Sequence, residues 1–391
     1  MKRRIIIVNN NMKIGGVQKA LLDLLNEIAP LYDVTLYLFN GTGEYLKKVP
    51  ANVKIEECRS LYRYFGTSQA ESKKSLGMYI TRSCLAVLTK LIGRIAVSKI
   101  VSMFSKNVRE EFDVAISFMH DGDNRLLYGG CNDFVLKKIR AKKKITFLHC
   151  DYKNCGANFR SNNRIYNKFD KIAACSEGCR QSFISVMPHL EGKCHTVINC
   201  HNYDEIISLS NDDEITYDTS YKNVVIVARL NPEKGVERAL RALKYAIDQD
   251  AKVMLHIVGG GILREALEAL SIELGIKNNV IFYGEQGNPY RYMKNADLLF
   301  IPSLHEAAPL VIDEAVCLGV PIFSTQTTSS KDMILDRGCG WVCNNDQDFI
   351  NKDFFAVISN ETVILNVKQN ITDQKLCDNC IAAQMFKDLI A

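Results

Sequence analysis

The sequence predicts an α/β fold built from two tandem Rossmann-like, doubly wound domains facing each other across a cleft. Three observations carry this. Short runs rich in Ile and Val recur along the chain, a strand–glycine turn–helix unit opens it, and the same unit restarts after residue 220. Runs that are apolar on both faces suit parallel strands covered by helices.

The elements follow in order. Arg4–Asn9 reads as a β-branched strand, Ile14-Gly15-Gly16 as a turn, and Val17–Ile28 as a helix with leucines at helical spacing, closed by Pro30. Further strands are expected at Asp33–Phe39, Asp113–Phe118, Lys144–His149, Lys171–Ser176 and His195–Cys200. Between about Asn202 and Ser220 the chain is acidic and polar, which reads as a linker. A strand at Asn223–Arg229 then reopens the pattern, followed by a helix from about Lys234 and a strand at Val253–Val258. Gly259–Gly261 turns into a helix carrying Leu263, Leu267 and Leu270. Strands at Val280–Tyr283, Asp297–Ile301 and Pro321–Phe323, and a helix between Pro309 and Leu318, complete the set. The domains are drawn at residues 1–201 and 202–375, with a C-terminal helix over 376–391 that can pack back on the first.

Composition excludes several classes. With 391 residues, 47% hydrophobic and 24% charged, the chain can bury ample core and is neither disordered nor low-complexity. A net charge of +5 is too mild to imply a nucleic-acid partner. No apolar run is long enough to span a membrane, and the apolar part of MKRRIIIVNNN is too short for a signal peptide, so a cytoplasmic location is expected. The 14 cysteines are scattered, which fits reduced, partly buried thiols. Cys377-x2-Cys380 has no partner pair, and Cys150, Cys155, Cys175 and Cys179 lack zinc-ligand spacing. No metal and no cofactor are expected.

The segment Cys58–Arg109 stands apart, with 10 Lys or Arg against one acidic residue, Glu71, and long apolar stretches. One reading is two helices packed on the first domain with their cations directed outwards. The other is a basic, apolar surface for the inner face of an anionic membrane or a lipid-linked substrate.

Candidate site residues cluster after strands. Gly15-Gly16 lets backbone approach a ligand at a helix amino end, where N–H groups are unpaired and the dipole is positive. The motif is not GxGxxG, so NAD binding has little support. Arg229 at a strand end and Lys234 at the next helix start can converge on a diphosphate. Gly260 lies in a second glycine turn. In SLHEAAPLVIDEAVCLGVP, Glu306 and Glu314 are eight residues apart. Between them, Pro309, Leu310 and Val311 open a helix suited to hydroxyls and phosphate.

Taken together, the GG loop, HCDY at His149–Tyr152, FDKIAACS, ARLNPEKG at 228–235, IVGGG and Glu306-x7-Glu314 resemble the retaining nucleotide-sugar glycosyltransferases of family 4, over nearly the full length. The resemblance implies a GT-B fold and a metal-independent transfer from a UDP-linked sugar to a glycan acceptor that is itself lipid-linked. The setting implied is bacterial lipopolysaccharide or surface polysaccharide synthesis. It further implies that Arg229 and Lys234 hold the diphosphate, Glu306 the donor sugar and Glu314 the ribose, with His149 beside the reacting carbon. Departures are Ala307, where the family often has Gly, and Thr328-Ser329 in place of a late glycine pair. His120, in the loop MHDGDNRLL, is a second candidate, expected to be set less firmly than His149. Asp151 either orients His149 or caps the following loop. Two alternatives stay open: a non-hydrolysing UDP-sugar epimerase, and a catalytically silent sugar-nucleotide-binding partner in a polysaccharide assembly complex.

Overall fold

The computed structural model describes residues 2–213, 215–374 and 377–391. They form two compact units, Met1–His201 with Asn379–Ala391, and Asn202–Asp378. The first holds a seven-stranded sheet of β1 (Arg4–Asn9), β2 (Asp33–Leu38), β3 (Lys54–Glu57), β4 (Glu111–Ser117), β5 (Arg140–Leu148), β6 (Lys171–Ala174) and β7 (Cys194–Thr196). Its order is β3-β2-β1-β4-β5-β6-β7, and all pairs are parallel. The second holds β8 (Lys222–Val227), β9 (Val253–Val258), β10 (Val280–Gly284), β11 (Leu298–Ile301), β12 (Ile322–Thr325) and β13 (Gly340–Cys343). Its order, β10-β9-β8-β11-β12-β13, is again wholly parallel. Each order reverses once, beside the first strand of its sheet, which is the doubly wound Rossmann topology.

Burial explains these elements. Ile5, Ile6, Ile7 and Val8 of β1 are all fully buried, so successive side chains fill both faces of the sheet. The helix Gly16–Ile28 buries Ala20, Leu21, Leu24, Leu25 and Ile28 along one face, and Gln18, Leu22 and Asp23 beside it. In the second unit, Val224 and Ile226 of β8 pack with Leu240, Leu243 and Phe354. Val225, between them, packs on the other face with Ile312, Ala315 and Val316. This alternation is the two-residue period of a strand.

Several expectations need correction. The segment read as a linker contains a helix, Tyr203–Ser210, whose first turn is capped by Asn202 Oδ1 accepting from the Glu205 N–H at 3.2 Å. Strands β3 and β13 were not anticipated. Strand β8 stops at Val227, so Arg229 lies in the loop beyond it rather than at the strand end. Cys377 precedes the terminal helix, which begins at Cys380.

That terminal helix, Cys380–Ile390, is held at its carboxyl end. Arg3 Nη1 donates to Ile390 O at 2.8 Å, Lys143 Nζ to the same oxygen at 3.4 Å, and Lys171 Nζ to Asp388 O at 2.9 Å. Cations favour that end because the dipole is negative there. Asn379 joins the helix to the end of the first long segment, accepting from the His201 N–H at 3.0 Å and donating to His201 O at 2.8 Å.

The basic segment carries a 3₁₀ turn, Leu61–Phe65, a short helix, Gln69–Ser72, and two longer helices, Leu76–Ile92 and Arg94–Met103, separated by Gly93 at φ +85°. The positive φ favours glycine, and a Cβ there would also come 2.2 Å from Asn124 Nδ2 and displace that side chain. Its cations do not all point outwards. Arg94 is fully buried, and Arg82 Nε donates to Thr67 O at 2.8 Å. Among the described residues no helix is long and apolar enough to cross a membrane.

Candidate active site

In the second unit the order reverses between β8 and β11, the kind of switch point at which open α/β sheets bind ligands. The loops after these two strands carry the predicted residues. Lys234 Nζ lies 2.6 Å from Glu306 Oε1, an ion pair joining positions 72 residues apart. Ser303 Oγ donates to the same carboxylate oxygen at 2.7 Å. Gly235 follows at φ +58°, and a Cβ there would meet Pro302 O at 2.4 Å, so glycine lets the two loops touch. Lys234 therefore sits in a short 3₁₀ turn, Pro232–Lys234, and the helix begins after it, at Val236.

Arg229 is exposed in the same loop, beside Leu230, which is fully buried and anchors it. The Leu230 N–H donates to Gly260 O at 2.8 Å, and the Leu263 N–H to Leu230 O at 3.0 Å. The glycine turn is thus laced to the Arg229 loop. At Gly259, φ +145°, a Cβ would fall 1.8 Å from Ala228 O, which explains the glycine there by close backbone approach.

The helix Leu310–Cys317 starts after Pro309, with no side-chain cap on its first N–H groups. Pro309, Leu310 and Val311 are half-buried, while Glu314 is turned inward and accepts from the Tyr290 hydroxyl at 3.1 Å. Thr328-Ser329 leads into a π-helical turn, Lys331–Leu335, and Ser329 Oγ donates to Ala307 O, tying the late loop to the Glu306 loop. Lys234 and Glu306 thus meet in one ion pair three residues before Pro309, and Glu314 is held inward by Tyr290.

In the first unit the reversal falls between β1 and β4. Gly16 begins the helix after β1, exposed, with open space where a Cβ would point. His149 follows β5, its ring 4.7 Å from that of Phe118 and stacked at 15° against Phe147. Its Nε2 is buried without a hydrogen-bond partner, as is Nδ1 of His120. Burial, reinforced by His120, holds His149 down at about 3. Burial holds His120 down at about 4, with Arg94 adding to it and Asp121 opposing it. Both rings are neutral near pH 7, able to donate and accept a hydrogen bond but not to supply charge.

His120 is set more firmly than the sequence suggested. Its neighbour Asp121 pairs with Arg94 at 2.9 Å, accepts from the Gly130 N–H at 3.2 Å, and offers its carbonyl to Asn162 Nδ2 at 3.4 Å. Asp151 ties the turn after β5, accepting from Ser182 Oγ and Asn154 Nδ2. Sequence reasoning missed Arg94, Asp121 and Tyr290. The one available signal was Arg94 itself, a lone cation inside the apolar run LIGRIAV. Among the described residues, no group of three or more His, Cys, Asp or Glu is placed to hold a metal ion.

Residues 210–374, which include Arg229, Lys234, Glu306 and Glu314, match the family described as Glycosyl transferases group 1. An uncharacterised glycosyltransferase of Methanocaldococcus jannaschii is 28% identical over 174 residues, 44% of this chain and 43% of that protein. The lipopolysaccharide glucosyltransferase WaaG of Escherichia coli is 34% identical over 109 residues, 28% of this chain and 29% of WaaG. The chain therefore spans half or less of the length of these two curated relatives. Among solved structures, Anabaena HepE in complex with UDP and glucose superposes with a TM-score of 0.67 at 16% identity, covering 99% of each chain. The chain thus has the GT-B fold, two Rossmann-like units of which the second carries the region similar to group 1 glycosyl transferases.

Proposed function

We propose that this protein is a retaining glycosyltransferase that moves a sugar from a UDP-linked donor to a hydroxyl of a lipid-linked glycan during bacterial surface polysaccharide or lipopolysaccharide synthesis. The observation that carries the reading is the Lys234–Glu306 pair at the reversal point of the second sheet. There a cation and a carboxylate meet beside an uncapped helix end. In this reading the second unit is the donor domain. Arg229 and Lys234 hold the diphosphate with the N–H groups of Leu310 and Val311, and Gly260 gives the backbone room beside it. Glu306 accepts from donor-sugar hydroxyls, and Glu314, steadied by Tyr290, from the ribose. The first unit is the acceptor domain, with Gly16, His120 and the neutral His149 offering hydrogen bonds to sugar hydroxyls.

Transfer then breaks the bond between the anomeric carbon and the leaving phosphate oxygen while the acceptor oxygen bonds to the same face. The phosphate oxygen takes the acceptor proton, and Arg229, Lys234 and the helix amino end stabilise the charge gathering on it. The reading assigns this role to no metal. The UDP of the HepE complex and the lipopolysaccharide glucosyl transfer named for WaaG support the donor and the setting. The exposed apolar side chains of the helix Leu76–Ile92 support a lipid-linked acceptor and peripheral contact with the inner membrane face.

The test is a panel of nucleotide-sugars screened for thermal stabilisation, followed by transfer of the labelled best binder to bacterial lipid extract. The product's anomeric configuration is read by NMR. Stabilisation by a UDP-sugar and an α-linked product from an α-linked donor support the proposal. Interconversion of the free sugar nucleotide without acceptor identifies an epimerase, and tight binding without turnover a silent partner.

A further inference from the structure

The turn after β5 carries two thiols that the site described above does not use. Cys150 is 7% exposed, Cys155 is open to solvent, and their sulfurs share a hydrogen bond at 3.2 Å. The turn holds them there. The Cys155 N–H donates to Asp151 O at 2.8 Å and the Asn154 N–H to the same oxygen at 3.1 Å. A disulfide needs the sulfurs at about 2.05 Å, so closing the bond requires an approach of only about 1 Å between residues five apart in one turn. The Cys150 sulfur beside it holds the Cys155 thiol below the ordinary thiol range, whereas the same contact and burial push Cys150 up. The exposed thiol is therefore the more easily deprotonated of the two, and its buried neighbour the less so. Cys84 is equally exposed but has no sulfur neighbour among the described contacts.

We propose that Cys150 and Cys155 form a hydroperoxide-responsive dithiol, a reversible modification site in which Cys155 is oxidised and Cys150 resolves it. The Cys155 thiolate attacks one oxygen of a hydroperoxide, the O–O bond breaks, and the sulfur becomes a sulfenic acid. With hydrogen peroxide the other oxygen leaves as hydroxide and takes a proton to form water. The Cys150 sulfur, losing its proton, then attacks Cys155, forming the S–S bond and expelling the second water. Two thiols and one peroxide give one disulfide and two waters, and a thiol reductant reverses it.

The test treats the reduced, full-length protein with one equivalent of hydrogen peroxide and maps every cysteine by mass spectrometry. The expected result is a Cys150–Cys155 crosslink, lighter by two hydrogens and reversed by dithiothreitol. Cys155 should react at least about tenfold faster than Cys84. Cys155→Ser, a surface change, should remove the crosslink, and Cys150→Ala should leave a sulfenic acid on Cys155 that dimedone traps. Equal rates at Cys84 and Cys155, direct passage of Cys155 to sulfinic acid, or a crosslink from Cys155 to Cys175 or Cys179 overturns the assignment. The readout is chemical, so its failure and that of the transferase reading are separate results.

Discussion

Arg94 Nη2 lies 2.9 Å from Asp121 Oδ1 with both side chains 1% exposed, so a fully buried ion pair fixes the loop that carries His120. Arg94 also donates to Tyr128 O at 3.1 Å, and its backbone N–H to Asn124 O at 2.7 Å. Removing one partner of a buried pair strands the other charge, whereas replacing both with apolar groups need not. Arg94→Ala is therefore expected to lower unfolding free energy by about 3–5 kcal/mol, and the double change Arg94→Met with Asp121→Leu to cost less than Arg94→Ala alone. Urea denaturation of the three proteins decides it. A loss below about 1 kcal/mol for Arg94→Ala, in the range of an exposed pair, contradicts this account.

Lys234 is the residue on which the donor reading turns. Lys234→Ala removes a charged donor from the leaving diphosphate, so kcat/KM should fall roughly 30- to 1000-fold, about 2–4 kcal/mol, with circular dichroism unchanged. Arg229→Ala should behave similarly, and activity should survive EDTA because side chains and a helix end meet the charge. Values within threefold of the parent for both variants, or activity lost to EDTA and restored by Mg²⁺, contradict the assignment.

Much of this was legible because it is local. The β-branched runs became the central strands, and the loops after β8 and β11 hold the residues singled out for them. What escaped was non-local or sparsely patterned. Strand β3 reads KIEE and is mostly exposed at the sheet edge, so it offers no apolar run to recognise. Strand β13, GWVC at the other sheet's edge, is only partly buried over its first three residues and shows no β-branched run. Arg94 and Asp121 meet across 27 positions in sequence, and no spacing rule pairs them. Cys150 and Cys155 were weighed as zinc ligands, a question of motif, whereas their proximity to each other comes from the turn between them.

The helix Leu76–Ile92 and its successor leave Leu76, Ile80, Val87, Leu91, Met103 and Phe104 each more than half exposed. In a segment so rich in cations, such a surface should bind vesicles containing anionic lipid and release them as salt rises. The triple change Ile80→Ser, Val87→Ser and Leu91→Ser should reduce flotation at least about fivefold, because it removes apolar area and leaves charge intact. Equal recovery with neutral and anionic vesicles, or none at low salt, contradicts it.

The paired histidines give a pH signature and a division of labour. His149 and His120 are held down at about 3 and about 4, against 6.5 for a free ring. In the unfolded chain both take up protons as pH falls through 6.5, while the folded protein keeps them neutral. Protons then bind preferentially to the unfolded state. The stability present above pH 6.5 is accordingly lost on acidification, at up to about 1.4 kcal/mol per pH unit for each ring, until the folded values are reached. His256, also held low by burial, adds to the same slope, so the comparison must be made between parent and variant. A His120→Gln, His149→Gln double variant should show a shallower loss of urea midpoint between pH 7 and pH 5. Rings that stay neutral over this range should also give kcat no inflection near 6.5 from either histidine. Their roles separate in the single variants. His149, stacked on Phe147 at the end of β5, should lower kcat sharply as His149→Ala while leaving UDP affinity nearly intact, since the diphosphate is assigned to the other unit. His120→Ala should mainly raise the acceptor KM. Calorimetry with UDP and initial rates against each substrate read both effects. Parental kcat in His149→Ala, or turnover lost at saturating acceptor only in His120→Ala, moves the sugar contact to the loop after β4.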